Sequence, residues 1–145
     1  MSRRTDKDDY SSALGTLTRK QVQDAIRRGN SLVGADLRGV DLNGISFDNV
    51  DLTRAKLADT NLSRCSFNGA NLTHASMWHA NLKDACLDQA TLEGTDFDFA
   101  NLDGCTVKGA RVKKAIFPLN RISLDEILDA VKTGQRLRMI STGHD

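Results

Sequence analysis

The chain has 145 residues, of which 39% are hydrophobic and 27% are charged, and its formal net charge at pH 7 is +1. This length and composition fit one soluble domain with a buried core. Because the net charge is close to zero, the protein as a whole has no positive electrostatic field that would attract nucleic acid or an anionic membrane. No stretch of the sequence is long and apolar enough to span a bilayer.

The first segment, residues 1–17, is charged and rich in serine and has no hydrophobic periodicity, so we predict that it is mobile. Its arginines are not followed by an apolar run, which argues against a secretory or twin-arginine signal. Three cysteines without a disulfide framework indicate a reducing compartment, and we therefore expect a cytoplasmic protein.

A short amphipathic helix is predicted over residues 18–29, where it would cap the N-terminal end of the fold. Thr18 can cap this helix together with Gln21, and Gly29 follows its last turn. Its apolar face consists of Val22, Ala25 and Ile26.

From residue 30 to residue 119, a small residue, a polar residue and a large apolar residue recur every five positions. The first repeat, residues 30–34, is degenerate and centres on Leu32. The later central apolar residues are Leu37, Leu42, Phe47, Leu52, Leu57, Leu62, Phe67, Leu72, Met77, Leu82, Leu87, Leu92, Phe97, Leu102, Val107, Val112 and Phe117. A five-residue period fits neither a helix nor a straight strand, so the chain must turn once per repeat and wind into a stacked coil.

Tandem repeats such as ADLRG, ANLTH, ANLKD and ANLDG resemble the A(D/N)LXX signature of the pentapeptide repeat family. The resemblance implies an all-β solenoid, a right-handed quadrilateral parallel β-helix with four pentapeptides per coil. The central residue and the small residue two before it would point inward. Residues twenty apart would then stack in columns, with Phe47 on Phe67 and Phe97 on Phe117.

Residues 120–145 are predicted to form a C-terminal capping helix and a tail, because Pro118 cannot continue a strand ladder. Ser123 and Glu126 form a capping box, and Gly134 ends the helix. Its apolar stripe consists of Leu124, Ile127, Leu128 and Val131. This stripe could close the last coil or pair with a second copy, so we expect a monomer or a homodimer through this helix.

The sequence contains no P-loop, GxGxxG after a strand, CxxC, HExxH or GxSxG motif, so we predict no catalytic, cofactor-binding or metal-binding residue and no enzyme. His74, His79 and His144 are interpreted as surface histidines. Asp or Asn often precedes the centre of a repeat, where regular placement suits hydrogen bonds to the turns better than an array of carboxylates. These residues are Asp36, Asp41, Asp51, Asn61, Asn71, Asn81, Asp96 and Asn101.

One candidate site is an aromatic patch at outward positions of adjacent coils, formed by Trp78, His79, Asp98 and Phe99. The predicted register places Trp78 over Asp98 and His79 over Phe99. Outward aromatic residues in a chain with 5% aromatic residues favour a partner-binding surface. The alternative is that they are scattered apolar residues packed under a terminal tail.

A second candidate site is the basic cluster formed by Arg111, Lys113 and Lys114 near the end of the repeats. It could contact an anion or a partner. The alternative is an ordinary solvated face.

We therefore predict a non-enzymatic binding or scaffold module that holds a protein partner on its outer faces, without direct contact to nucleic acid or membrane. The resemblance implies an alternative, in which an acidic rod mimics duplex DNA and protects a type II topoisomerase such as gyrase. Residues 35–119 contain eleven acidic and nine basic residues. B-DNA beside such a rod of roughly 20 Å would carry about twelve phosphates. The near balance of acidic and basic residues is a poor match to that charge, so it favours the binding module over the DNA mimic.

Overall fold

The computed structural model describes residues 15–141, and most of the predicted N-terminal segment lies outside this range. Helix α1 is Arg19–Arg27 and helix α2 is Leu124–Thr133. Between the helices, the described chain forms no extended strand, but isolated parallel bridges join successive coils. The middle of the chain is therefore a coil in which each side is joined to the next coil by a single bridge, with tight turns at the corners.

The register of the coil follows from the bridges, which join residues twenty apart, for example Asp41 with Asn61 and Asn61 with Asn81. One turn of the coil therefore takes four pentapeptides, as predicted. The predicted aromatic columns are also present. The ring centroids of Phe47 and Phe67 lie 5.0 Å apart, and those of Phe97 and Phe117 lie 5.3 Å apart.

The coil has four sides, which we number by their central residues. Side 1 has the centres Leu32, Leu52, Leu72, Leu92 and Val112. Side 2 has the centres Leu37, Leu57, Met77, Phe97 and Phe117. Side 3 has the centres Leu42, Leu62, Leu82 and Leu102. Side 4 has the centres Phe47, Phe67, Leu87 and Val107.

Each pentapeptide before the last closes with a tight turn, as where the N–H of Ala55 donates to the carbonyl of Leu52 at 2.9 Å. In these turns the residue two after the centre has a φ between 57° and 82°, whereas the residue before it has no positive φ, which is the pattern of a type II turn. Glycine favours this conformation, yet ten other residues adopt it within the described chain, including His79 and Phe99. The turn points their side chains outward at the corners.

The core consists of the centres and of the small residues two positions before them. Every centre is buried except Val112, which is partly exposed. Polar residues at small inward positions bond back to a carbonyl of the previous coil. The Thr60 and Thr95 hydroxyls donate to the carbonyls of Leu37 and Leu72 at 2.8 and 2.7 Å. The interior therefore accepts hydroxyl groups without leaving them unpaired.

The prediction for the Asp and Asn residues before the centres is confirmed. All eight accept a hydrogen bond from the backbone N–H two residues on, at 2.9 to 3.2 Å. At Asp36 the Arg38 guanidinium adds an ion pair that holds the pKa of this buried carboxyl at about 2. These side chains therefore stabilise turns.

We expect Asn71→Ala to lower the free energy of unfolding by about 1 kcal/mol, because it removes the acceptor used by the Thr73 N–H at 3.1 Å and the Thr73 hydroxyl at 2.6 Å. Ser76→Ala is the matched control, since Ser76 occupies the equivalent position on the next side. Urea unfolding of both variants measures the difference. Equal losses would show that the Asn71 side chain does not hold its turn.

Helix α1 starts with the predicted capping box, in which Thr18 and Gln21 exchange hydrogen bonds of 3.1 and 2.8 Å. Val22 and Ala25 are fully buried against the first coil. Leu17, which precedes the capping residue Thr18, donates its N–H to the carbonyl of Asp36 at 2.9 Å. The N-terminal end of the core is thus packed against this helix.

Helix α2 is less completely buried than its predicted stripe suggests. Ser123 caps it and Gly134 ends it with a φ of 81°, as expected. Ile127 is fully buried and Val131 is partly buried, but Leu124 and Leu128 are 49% and 42% exposed. The helix instead buries Ala130, so its contact face is rotated relative to the prediction.

The tail after α2, residues 135–141, returns beneath the last coil. The sequence predicted no secondary structure for this segment. Leu137 is buried, its N–H donates to the carbonyl of Cys105, and its carbonyl accepts the N–H of Gly104, both at 2.8 Å. The carbonyl of Val131 in α2 accepts the N–H of Gly109 at 2.9 Å. The tail and α2 therefore occupy the place of a further coil under sides 3 and 4.

Candidate functional site

The structure brings three residues of the aromatic patch together on side 2. The Trp78 and Phe99 ring centroids lie 5.8 Å apart at an angle of 69°, which is an edge contact, and the Trp78 and His79 centroids lie 5.4 Å apart. Trp78 is 43% exposed and Phe99 is 62% exposed. The patch is therefore a fixed cluster of rings that faces solvent.

The backbone conformation at the aromatic patch directs its side chains outward and is strained at two of its residues. Trp78 follows the centre Met77 directly, whereas His79 and Phe99 occupy turn positions with φ values of 59° and 61°. A bulky side chain at positive φ is uncommon, and such strain costs on the order of 1 kcal/mol. Because Phe99 gains little burial in return, folding alone does not account for an aromatic residue at this turn.

The fourth residue of the aromatic patch, Asp98, lies one coil after Trp78, as the predicted register places it. The register puts it below Trp78, but the Trp78 ring meets the edge of Phe99, one position further along. Asp98 is partly buried, and its carbonyl accepts the His79 N–H at 2.9 Å. Its observed contribution is therefore to hold the backbone of His79.

Asp59 adds a polar contact to the aromatic patch that the sequence analysis missed. Its Oδ1 lies 2.7 Å from Nδ1 of His79, and both side chains are more than half exposed. An exposed pair of this kind contributes little to stability. The twenty-residue register could have predicted this contact, since it places Asp59 one coil before His79.

A groove of about 580 Å³ borders the aromatic patch toward side 3. Its lining includes Phe99 and Met139 as apolar walls and His79, Lys83 and Arg121 as polar groups. Met139 comes from the tail, and its N–H donates to Asp103 at 3.0 Å. Sequence reasoning missed Arg121 and Met139 because the direction of the tail could not be inferred.

The basic cluster lies on a different side from the aromatic patch. Arg111, Lys113 and Lys114 are exposed in the last repeat of side 1, and Lys114 forms the corner toward side 2. Val112 lies between Arg111 and Lys113 in the sequence and points inward. The two predicted sites are thus separate surfaces on neighbouring sides.

Two of the three cysteines lie in the core of the coil. Cys65 and Cys105 are buried, and burial raises the pKa of Cys65 to about 11 and raises the pKa of Cys105 as well, so these thiols stay protonated. Within residues 15–141, no three His, Cys, Asp or Glu side chains are grouped to hold a metal ion. Nor does this part of the chain contain a helix long and apolar enough to cross a membrane.

Comparison with known proteins agrees with the coil described above. The sequence model of a family described as a pentapeptide repeat region matches residues 40–117. No match is found among curated protein sequences.

Two solved structures show how far the similarity extends. A pentapeptide repeat protein from the thylakoid lumen of Arabidopsis thaliana is 35% identical, with a TM-score of 0.55 over 55% of each chain. Rfr23, a pentapeptide repeat protein from the cyanobacterium Cyanothece 51142, is 33% identical, with a TM-score of 0.56 over 58% of each chain. The chain thus spans little more than half the length of these relatives.

Proposed function

Because the chain belongs to the pentapeptide repeat family, we propose that it is a non-enzymatic module that binds another protein on the outer surface of its coil. The observation that carries this proposal is the cluster of exposed rings at Trp78 and Phe99. The coil is built from repeated turns whose polar groups are used within the fold. A surface aromatic cluster on such a scaffold is suited to recognition.

The composition of the aromatic patch supports a protein partner. Interface hot spots combine large aromatic side chains with a polar rim, and here the His79 and Asp59 pair supplies that rim. The next repeat of side 2 adds Ile116 and Leu119, which are 51% and 57% exposed. These residues extend the apolar surface toward the C-terminal end of the coil.

Preorganisation also supports binding through the aromatic patch. The edge contact between Trp78 and Phe99 restrains both rings before a partner arrives, so less side-chain entropy is lost on binding. The tail, as far as residue 141, leaves Phe99 62% exposed. This exposure argues against the alternative that the rings pack under the tail.

We expect Trp78→Ala and Phe99→Ala to weaken partner binding by about 2 kcal/mol or more, because each change removes one of the two large apolar rings of the patch. The measurement is recovery of a partner from native lysate by immobilised wild-type and variant protein, followed by affinity determination with the purified partner. Thermal melting checks that both variants remain folded.

Val33→Ala is the matched control, since Val33 is also an exposed apolar residue, at 41%, but lies at the opposite end of the coil. It should keep the partner at wild-type yield. The proposal fails if both aromatic variants retain the partner in full, or if both melt far below the wild type because the rings serve folding.

Protection of a type II topoisomerase by DNA mimicry stays the alternative that the resemblance implied. It requires a strongly acidic face, whereas the acidic and basic residues of residues 35–119 nearly balance. A gyrase supercoiling assay with and without a quinolone tests it. Protection of gyrase at low protein concentration would favour this alternative over the binding module.

We also propose the right-handed winding that pentapeptide repeat proteins are known to form, with α1 and α2 as end caps. The burial of Val22 and Ala25 at one end and of Ile127 and Leu137 at the other supports the capping role. A cytoplasmic location is proposed because all three cysteines are free thiols. Whether the protein is a monomer or a dimer through α2 is a prediction for sedimentation analysis.

A further inference from the structure

Side 1 differs from the other sides at the C-terminal end of the coil. Its last centre, Val112, is the one centre of the coil that is not buried, and the neighbouring small residue Ala115 is also partly exposed. On side 3 the tail covers the last repeat, and on side 4 α2 contacts it. Side 1 therefore ends on a partly uncovered edge of the coil.

Hydrogen bonding leaves more donors open on side 1 than on the other sides. Within the described residues, sides 2 and 4 each have one open donor at the last centre, the N–H groups of Phe117 and Val107. In earlier coils of side 1, the N–H of the centre and the N–H two residues on donate to the next coil, as Leu92 and Gly94 do to the carbonyls of Arg111 and Lys113 at 2.7 and 3.0 Å. The equivalent donors in the last coil are the N–H groups of Val112 and Lys114. Neither has an acceptor within the described residues. On side 3, by contrast, both equivalent donors are used, by Met139 and Leu137.

The charges around this edge indicate what would cover it. Arg111 and Lys113 flank Val112 on the outward face, and Lys114 lies at the corner, with no ion pair to any of them among the described residues. A second copy pairing edge to edge would place these like charges opposite one another, which is unfavourable. An acidic strand would place opposite charges there instead.

We propose that the open edge, residues 110–115, binds an extended acidic peptide of another protein as an added β-strand. Main-chain bonds to the N–H groups of Val112 and Lys114 hold the peptide, and alternate side chains select it. An apolar residue continues the column of Leu92 and Val112 and covers the exposed part of the core. Acidic residues on either side of it face Arg111 and Lys113.

The coil itself defines the pattern of such a peptide. A strand added in register occupies the place of a further repeat, so it carries a small residue, an acid, a large apolar residue and a second acid. The chain's own residues at this spacing, 130–134, belong mostly to α2 and its cap, so they cannot fill the edge as a strand. Within the described residues nothing else is placed to fill the edge, so the proposed strand comes from another molecule.

The first test uses fluorescence anisotropy with a labelled peptide of sequence Ala-Asp-Leu-Glu-Gly, a scrambled peptide and a peptide with lysine in place of both acids. Arg111→Glu combined with Lys113→Glu is expected to weaken binding at least about tenfold. Arg54→Glu combined with Lys56→Glu, at exposed or partly exposed positions near the other end of the coil, is the matched control and should bind as the wild type does.

The second test measures amide hydrogen exchange of the full chain by NMR. Bound peptide should slow exchange at the N–H groups of Val112 and Lys114 and leave the earlier coils unchanged. The proposal is overturned if the acidic peptide does not bind, if charge reversal leaves its affinity unchanged, or if protection appears elsewhere. Protection of the same two amides in a peptide-free dimer would also overturn it, since the occupant would then be a second copy.

Discussion

Leu82→Ala is expected to lower the free energy of unfolding by roughly 2–5 kcal/mol, because it removes buried methyl groups and leaves a cavity. Leu82 is fully buried as a centre of side 3, between the centres Leu62 and Leu102 of the adjacent coils. The backbone around it is held by the Leu82 N–H, which donates to the carbonyl of Asn101 at 2.8 Å. The surrounding coil therefore has little freedom to collapse into the space.

Lys83→Ala is the matched control for Leu82→Ala, because the two residues are neighbours but Lys83 is exposed. Its effect should stay within about 0.5 kcal/mol. Chemical unfolding monitored by circular dichroism measures both variants. If the two changes destabilise the protein equally, the centres do not carry the stability of the coil.

Deletion of residues 123–145 is expected to cause aggregation and a large loss of stability. It removes the buried side chains of Ile127, Ala130 and Leu137 and the carbonyls that pair with Gly104 and Gly109. Burial of a large apolar side chain contributes about 1.5–3 kcal/mol, so the loss is large against the 5–15 kcal/mol of a typical domain. The last coil would also expose a new strand edge.

Light scattering after size exclusion and thermal melting measure the effect of this deletion. Arg138→Ala, which changes an exposed residue of the tail, is the control and should change neither result. A chain truncated at residue 122 that stays soluble, monomeric and as stable as the wild type would show that α2 and the tail do not protect the coil.

The coil could be predicted because each pentapeptide contains the residues that determine its own turn and its own inward side chains. One small residue, one polar residue and one large residue per five positions set the turn, and the register then follows from stacking like residues, such as Phe47 on Phe67. The hydrogen bonds from Asp and Asn to the turns follow from the same repeat. Most of the aromatic patch was predictable for this reason, since the direction of Trp78 and Phe99 depends only on their places in a repeat.

What could not be predicted depends on the direction of the chain after the coil ends. The return of Leu137 beneath Cys105 is a long-range contact of a segment without periodicity. The rotation of α2, which leaves Leu124 and Leu128 exposed, depends on where the preceding turn places the helix. The groove beside Phe99 and the uncovered Val112 are consequences of that path, so neither could be inferred from the repeats.

The central claim is that the aromatic patch binds a protein partner, and calorimetric titration of the purified partner into the wild type and Phe99→Asn tests it most directly. Asparagine tolerates the positive φ of 61° at this turn, so the fold should be kept or slightly stabilised while the ring is lost. The account predicts an affinity about thirtyfold weaker with an unchanged or higher melting temperature. An affinity within about twofold of the wild type, in a variant that melts normally, would contradict it.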